Sequence, residues 1–200
     1  MAVVAPVTRV LLPAAVALAP LLVLIVVLSL VRCNGEHEPT VGLTAEAELV
    51  SPDGASIGTA TFLQTANGVL IMADVEGLAP GGHAFVIHEA GACTPDFDAA
   101  GDHFNPTGAD HGFVHSAWRN DDSGGHGGDL LNIYAAADGS ARADFLTDGV
   151  TLDEGPSHSV FDDDGSAIIV HELPDPYGEE EADTGERVAC GVIVPTGGGG

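Results

Sequence analysis

The chain has 200 residues, enough for one compact domain with an appendage. Its formal net charge is −25, with 30 acidic residues and no lysine among its five basic residues. This charge argues against nucleic acid as a partner, because a phosphate backbone would be repelled. The acidic side chains are interpreted as a solvated surface of a kind that suits high salt.

Residues 1–33 are predicted to form a transmembrane anchor or a signal segment. Residues 10–31 carry no charge and lie between Arg9 and Arg32. A helix of this length, at about 1.5 Å per residue, crosses a hydrocarbon core about 30 Å thick. An uncleaved helix in the membrane is favoured, because residues 29–31 (SLV) make a poor cleavage site. Lipidation at Cys33 is less favoured, because Arg32 stands where lipoprotein signals have a small residue.

Residues 34–40 are a polar linker, and alternation of apolar and polar residues begins after it. Residues 43–49 alternate with period two, which is typical of a half-buried strand, and a Ser-Pro-Asp-Gly turn follows at 51–54. Similar runs predict seven further strands, at 57–64, 69–75, 83–89, 130–136, 141–146, 167–172 and 188–194. No long stretch after residue 40 has a helical period, so the fold class is all-β, a sandwich or a barrel.

The segment 90–129 has no strand pattern, and a loop of this length needs a function or something that pins it. It contains Cys93, which could pair with Cys190 in an oxidising compartment outside the cytoplasm. Two unrelated buried thiols are the alternative, and the spacing does not choose between them. The loop also holds the donor set of a closed zinc site: His103, His111, His126 and Asp129. From these residues alone, a histidine-rich loop that binds nothing stays open.

Six sequence motifs, in this order along the chain, resemble the metal-binding and C-terminal segments of copper/zinc superoxide dismutases. They are 82–89 (GHAFVIHE), 100–106 (AGDHFNP), 111–112 (HG), 126–130 (HGGDL), 167–172 (AIIVHE) and 185–193 (GERVACGVI). The resemblance covers residues 41–195 and leaves 196–200 as a glycine tail. It implies an eight-stranded Greek-key β-barrel with a long metal-binding loop, after the N-terminal hydrophobic helix. It also implies a Cys93–Cys190 disulfide and an extracytoplasmic protein, membrane-anchored or secreted.

The resemblance implies an intact zinc site and an incomplete copper site. His103 is similar to the family's ligand shared by both metals, with His111, His126 and Asp129 as the other zinc ligands. His88, His103 and His171 correspond to copper ligands, while Val86 replaces the fourth. Ile87 cannot substitute, because it lies on the opposite face of the strand. His83 is expected to face away from His88 by the same parity and is interpreted as structural, while His37, His115 and His158 are interpreted as surface residues.

Two more residues match the family beside the metals. Arg187 corresponds to the arginine that attracts superoxide, although it could simply pair with a local acid. Asp175 corresponds to an aspartate that orients one copper and one zinc histidine, and Val86 removes the first of these partners.

Two functions follow from this pattern. The first is dismutation of superoxide to oxygen and hydrogen peroxide, with reduced activity because Cu(II) prefers four ligands. The second is a catalytically silent, zinc-stabilised barrel that binds or delivers copper, or binds a partner. Arg187 favours the enzyme and Val86 favours the silent barrel. Formation of a homodimer is left open.

Overall fold

The computed structural model describes residues 39–112, 125–178 and 182–198. Within these ranges the protein is all-β, and its helical content is one 3-10 helix at Phe97–Ala100. The strands are β1 Thr44–Val50, β2 Ser56–Thr65, β3 Gly68–Val75, β4 Gly81–His83, β5 Phe85–His88, β6 Ile133–Ala135, β7 Ala141–Thr147, β8 Ala167–His171, β9 Arg187–Val192 and β10 Val194–Gly197.

Eight strands form one antiparallel sheet in the order β5-β8-β9-β1-β2-β3-β7, with β10 as a further partner of β1. The first three strands form a meander, whereas β9 returns from the far end of the chain to lie beside β1, which is a Greek-key arrangement. The sheet is curled, because Phe85 of β5 and Phe145 of β7 stack in the core with ring centroids 5.5 Å apart although their strands lie at opposite ends of the ladder. Hydrogen-bonded closure between β5 and β7 is not among the described pairs, so a closed barrel stays a prediction.

Alternation with period two places the core as expected. In β1 the side chains of Ala45, Ala47 and Leu49 are buried, and β3 buries every second residue in the same way. In β5, Phe85 and Ile87 join the main core, so Val86 and His88 lie on the other face.

Within the described ranges, the prediction of eight strands is corrected to ten. The expected strand over 83–89 is broken at Ala84, because β4 pairs with β6 while β5 pairs with β8. The backbone of Ala84 itself bonds to Leu173 and His171. The expected last strand is broken at Ile193, whose N–H donates to the carbonyl of Ser166. The strand after this break, β10, pairs with β1.

The long loop is pinned along β5 by backbone hydrogen bonds and by a disulfide. The N–H of Phe104 donates to the carbonyl of Ile87, and the N–H of Ile87 donates to that of Gly128. A Cβ on Gly128 would lie 2.2 Å from the Ile87 carbonyl oxygen, so this approach requires glycine. The predicted Cys93–Cys190 disulfide is confirmed, with Cα atoms 5.8 Å apart.

The predicted membrane segment, residues 1–33, lies outside the described residues. Within the described ranges, no helix has the length and apolar character needed to cross a membrane.

Candidate metal centre

Three imidazoles meet where β5 and β8 end beside the long loop. His88 and His171 are the last residues of these strands, and His103 forms an isolated backbone bridge with His88. One ligand nitrogen from each lies within 4.8 Å of the other two. Nε2 of His88 and Nε2 of His171 are 3.5 Å apart. Two nitrogens that each lie about 2.0–2.1 Å from one ion can be about 3.5 Å apart, so this distance is compatible with His88 and His171 binding the same metal ion.

Hydrogen bonds and burial prepare two of these rings for a metal. Nδ1 of His88 donates to the carbonyl of Gly101 over 2.9 Å, which leaves the Nε2 lone pair toward the centre. Burial, assisted by nearby positive charge and opposed by the hydrogen bond from the ring to Gly101, lowers the pKa of His88 to about 2. Burial likewise lowers the pKa of His171 to about 4. Both imidazoles are therefore neutral at pH 7, which is the form that binds metals.

Val86 occupies the position two residues before His88 on the same strand face. Val86 is 2% exposed and pairs with Ile169 of β8. Ile169 is two residues before His171 on the same strand. Ile87 packs in the hydrophobic core, on the opposite face of β5 from His88, as the alternation predicts. On the face shared with His88, the chain therefore presents an apolar side chain at the position that the resemblance assigns to a fourth copper ligand.

The carboxylate of Asp129 lies at the centre of a second group of histidines. Its Oδ1 lies 2.8 Å from Nδ1 of His103, 3.4 Å from Nδ1 of His126 and 3.8 Å from Nε2 of His111. Its Oδ2 accepts hydrogen bonds from the backbone N–H groups of Gly112 and His126. One ligand atom each from His103, His111 and Asp129 lie within 4.8 Å of one another. The predicted zinc ligands thus lie together, and His103 contacts both groups.

Asp129 has the charge that a zinc ligand needs. Burial alone would raise its pKa, but a hydrogen bond from His103, the N–H of Gly112 and the charges of His111 and His126 outweigh it and hold the pKa below its usual range. An ionised carboxylate with three imidazoles fits the tetrahedral nitrogen and oxygen donor set of structural zinc.

Asp175 contacts His111 of the second group. The other partner that the resemblance implies for it is missing, because residue 86 is a valine. Its Oδ2 lies 3.0 Å from Nε2 of His111, as the sequence predicts. Its Oδ1 accepts the backbone N–H of Tyr177 over 2.7 Å. Tyr177 has a φ of 59°, which is uncommon for a residue other than glycine, so this turn is held in place by its surroundings. The carboxylate of Asp175 is thus satisfied without a partner at position 86.

Arg187 lies beside the three-histidine group. Its Nη1 donates to the carbonyl of Phe97 over 2.7 Å, and its Nη2 donates over 2.8 Å to the Gly101 carbonyl that also accepts the proton of His88. Its Nε lies 3.8 Å from the exposed carboxylate of Asp98, so the local acid that the sequence left open as a partner is present at long range. The two carbonyls fix the guanidinium without neutralising it, which leaves its charge available to an anion.

The backbone holds the ring of His83, but strand parity does not apply between His83 and His88. The ring nitrogens of His83 lie 2.7 Å from the carbonyl oxygens of His171 and Ala79, so the backbone holds the ring. The strand is broken at Ala84, and alternation cannot be counted across that break. His158 is exposed as expected, while His37 and His115 lie outside the described residues.

Two contacts around these groups were missed by the sequence reasoning. Oγ1 of Thr184 lies 2.9 Å from Nδ1 of His171, and the carbonyl of Gly101 joins His88 to Arg187. Gly101 belongs to the motif at 100–106 that carries the resemblance, so its position two residues before His103 could have indicated that it lies near the histidines. Thr184 carries no such signal, because its contact depends on how β8 and β9 pair.

Comparisons with known proteins agree on one family. The family model described as copper/zinc superoxide dismutase matches residues 56–193. The chain is 42% identical over 154 residues to superoxide dismutase [Cu-Zn] 2 of Aquifex aeolicus, covering 76% of this chain and 86% of that protein. It is 36% identical to the extracellular superoxide dismutase [Cu-Zn] of Brugia pahangi, covering 76% and 75% respectively. The crystal structure of a superoxide dismutase-like protein from Bacillus subtilis superposes with a TM-score of 0.66 at 33% identity, over 74% of this chain and 97% of that one.

Proposed function

The chain belongs to the copper/zinc superoxide dismutase family, and we propose that it dismutates superoxide to oxygen and hydrogen peroxide at a three-histidine copper site beside a structural zinc site. The observation that carries the proposal is the convergence of ligand nitrogens from His88, His103 and His171 within 4.8 Å. Arg187 is tied to the same Gly101 carbonyl as His88. These contacts support a copper site with the positive charge of Arg187 beside it.

In this proposal His88, His103 and His171 hold copper. Copper, when bound, supplies the one-electron chemistry that oxidises one superoxide to oxygen and reduces the next to peroxide. Arg187 attracts the superoxide anion and orients it, since its guanidinium is fixed by the carbonyls of Phe97 and Gly101. Gly101 keeps the Nε2 lone pair of His88 directed at the centre.

His103, His111, His126 and Asp129 would hold zinc, which would stabilise the long loop. Asp175 orients His111 through the 3.0 Å contact with Nε2. Because His103 belongs to both groups of histidines, it would be the ligand shared by the copper site and the zinc site. Closure of the sheet into a complete Greek-key barrel and a domain spanning residues 41–195 belong to the same proposal.

Val86 lowers the expected activity. Cu(II) prefers four ligands in a tetragonal arrangement, whereas three histidines suit Cu(I), so the oxidised state is bound less tightly and the reduction potential rises. We therefore expect turnover below that of a four-histidine site.

A silent barrel is the second candidate, and Val86 is the observation that favours it. In that case the zinc group and the disulfide stabilise the fold, and the three histidines bind or deliver copper without turnover. The similarity to a Bacillus subtilis protein named superoxide dismutase-like is compatible with this candidate.

The test is metal analysis of the purified full-length chain together with a superoxide assay. One zinc, one copper and measurable turnover support the enzyme. One zinc with bound copper and no turnover supports the silent barrel. A protein that binds no copper after loading refutes the copper site in both forms.

The disulfide and the family's extracellular members indicate an extracytoplasmic location. The membrane anchor at residues 1–33 remains a proposal, and secretion after cleavage is its alternative. The expected partners are superoxide and, through the anchor, the membrane, and a homodimer stays open.

A further inference from the structure

The outer face of the sheet carries a group of exposed and half-buried apolar side chains on β2, β3 and β7. Leu63, Leu70 and Leu146 are cross-strand partners in one row, and Met72 lies beside them on the same face of β3. Leu146 is 58% exposed and Met72 is 37% exposed, while Leu63 and Leu70 are half-buried. The alternate residues of these strands form the hydrophobic core, which the four side chains do not join in the described part of the chain. We call these four side chains the outer apolar patch.

This face changes character along the strands. Two residues beyond Met72, Asp74 pairs with Arg142 of β7, and Nη2 of Arg142 lies 2.9 Å from Oδ2 of Asp74. In the opposite direction, β2 and β3 meet at the turn of residues 66–67, close to the row of leucines. The outer apolar patch therefore lies at the end of the sheet nearest this turn, and the ion pair lies away from it.

The chain enters the domain at the same end of the sheet. The N–H of Gly42 donates to the carbonyl of Gln64 over 2.9 Å, which places the incoming segment beside the end of β2. Just before it, the N–H of Thr40 donates over 2.8 Å to the carboxylate of Asp153, a residue that is 5% exposed. Val41, between these two held residues, is itself 58% exposed. The segment that leads back toward residue 33 is therefore fixed next to the outer apolar patch.

The short connection to the predicted anchor limits how far this end of the domain can lie from a membrane. From residue 33 to Thr40 the chain reaches at most about 25 Å when fully extended. A tether of this length raises the effective concentration of the patch at the lipid surface into the millimolar range, so weak apolar contacts suffice for docking. The lipids that fit have no net charge, because the chain carries −25 overall and Asp144 and Asp148 flank Leu146.

We propose that the outer apolar patch docks the domain onto the surface of neutral lipids, with the linker at the point of contact. The inference rests on the proposed anchor at residues 1–33, and it adds the face that the domain turns toward the membrane. In the sheet order, β9, β1 and β2 lie between β3 and β8. Docking through β3 therefore leaves His171 of β8, and the copper site proposed there, on another side of the curled sheet and open to superoxide from the water phase.

The test uses the full-length chain in phosphatidylcholine nanodiscs, with one chain per disc so that a second copy cannot cover the patch. Copper is left out, because Cu(II) is paramagnetic. Met72 is one of only two methionines, so carbon-13 labelling of methionine methyl groups gives it a resolved signal, which Met72→Leu assigns. Leu131→Met supplies a reference methyl group at an exposed position two residues after Asp129. A nitroxide on the lipid headgroup broadens nearby methyl signals, and we expect the Met72 signal to broaden several-fold more than the reference signal.

A charge within the patch is expected to release the domain from the lipid surface. In Leu146→Glu, the broadening of the Met72 signal should fall to that of the reference signal. Leu173→Glu is the matched control, because this side chain is 48% exposed and lies outside the patch, and it should keep the parent's broadening. Replacing part of the phosphatidylcholine by phosphatidylglycerol should weaken docking of the parent at low salt, since the domain is acidic. Leu146→Ser replaces the glutamate variant if thermal unfolding shows that variant to be unfolded.

Three results overturn the inference while leaving the anchor in place. Equal broadening of the Met72 and reference signals shows a domain that moves freely above the bilayer. Stronger broadening of the reference signal shows docking through another face, and undiminished broadening of the Met72 signal in Leu146→Glu shows that the patch is not responsible. A chain that does not float with phosphatidylcholine vesicles refutes the anchor and this inference together. The superoxide assay and the metal analysis decide the proposed activity separately.

Discussion

Replacing Val86 by histidine tests whether residue 86 limits the chemistry. Residue 86 lies on the same face of β5 as His88, and it is 2% exposed. A histidine there adds a fourth nitrogen donor to the three already present. We expect Cu(II) affinity to rise by at least about tenfold, equivalent to about 1.4 kcal/mol, and turnover to rise with it, while zinc content stays the same.

The metal-free variant is expected to be less stable than the parent. A ring larger than valine in a packed position costs about 1–3 kcal/mol. A buried ring nitrogen without a partner costs about another 1–3 kcal/mol. We expect the ring nitrogen to lack a partner because both oxygens of Asp175 are already engaged. Its Oδ1 accepts the N–H of Tyr177, and its Oδ2 contacts Nε2 of His111. The free energy of unfolding should therefore fall by about 2–6 kcal/mol without copper and recover when copper is added.

The matched control is Val86→Phe, which has a ring of similar size and no donor. Cu(II) titration, thermal unfolding with and without copper, and superoxide turnover are measured for both variants and the parent. If Val86→His is fully loaded with copper but no faster than the parent, residue 86 is not the deficit. If both variants lose stability equally and neither gains copper, the valine fills a closed, well-packed position and the reasoning from strand parity to a vacant ligand position is refuted.

Three further predictions concern zinc, the disulfide and the substrate's approach. His126→Ala should reduce bound zinc below one per domain by elemental analysis and lower the melting temperature, because one of four donors is removed. Cys93→Ser should lower the free energy of unfolding by up to about 4.7 kcal/mol in denaturant titration, the chain-entropy value for a loop of about 100 residues. Asp98→Asn should raise the superoxide rate a few-fold at low salt and less at high salt, because a negative charge 3.8 Å from Arg187 is removed.

The controls for these predictions lie on the same chain. His158→Ala removes an exposed histidine away from Asp129 and should leave zinc content unchanged. Asp96→Asn removes a neighbouring exposed carboxylate that forms no ion pair with Arg187 within the described part of the chain, and it should change the rate less than Asp98→Asn. Zinc at the parent level in His126→Ala, unchanged stability in Cys93→Ser, or equal rates in the two aspartate variants would each contradict the corresponding assignment.

Local pattern was sufficient wherever a single strand decides the outcome. The alternation in β1 predicted its buried side chains, and the alternation in β5 placed Ile87 in the core, opposite His88. The pattern failed where hydrogen bonds from other strands break an element, as at Ala84 and Ile193. Those bonds come from residues far along the chain, and alternation within one segment carries no information about them.

The sequence by itself determined the donor types, because His88, His103, His171 and the residues around Asp129 occur in short motifs that can be recognised from their order and spacing. Only the tertiary structure decided how those donors are held. The contact between His171 and His88 joins residues that are 83 apart in sequence, and the contact between Arg187 and Gly101 joins residues that are 86 apart. Thr184 contacts His171 because the segment before β9 lies beside the end of β8. The physical reason is that side-chain type and strand face are local properties, whereas tautomer, orientation and charge environment depend on groups that only folding brings within hydrogen-bonding distance.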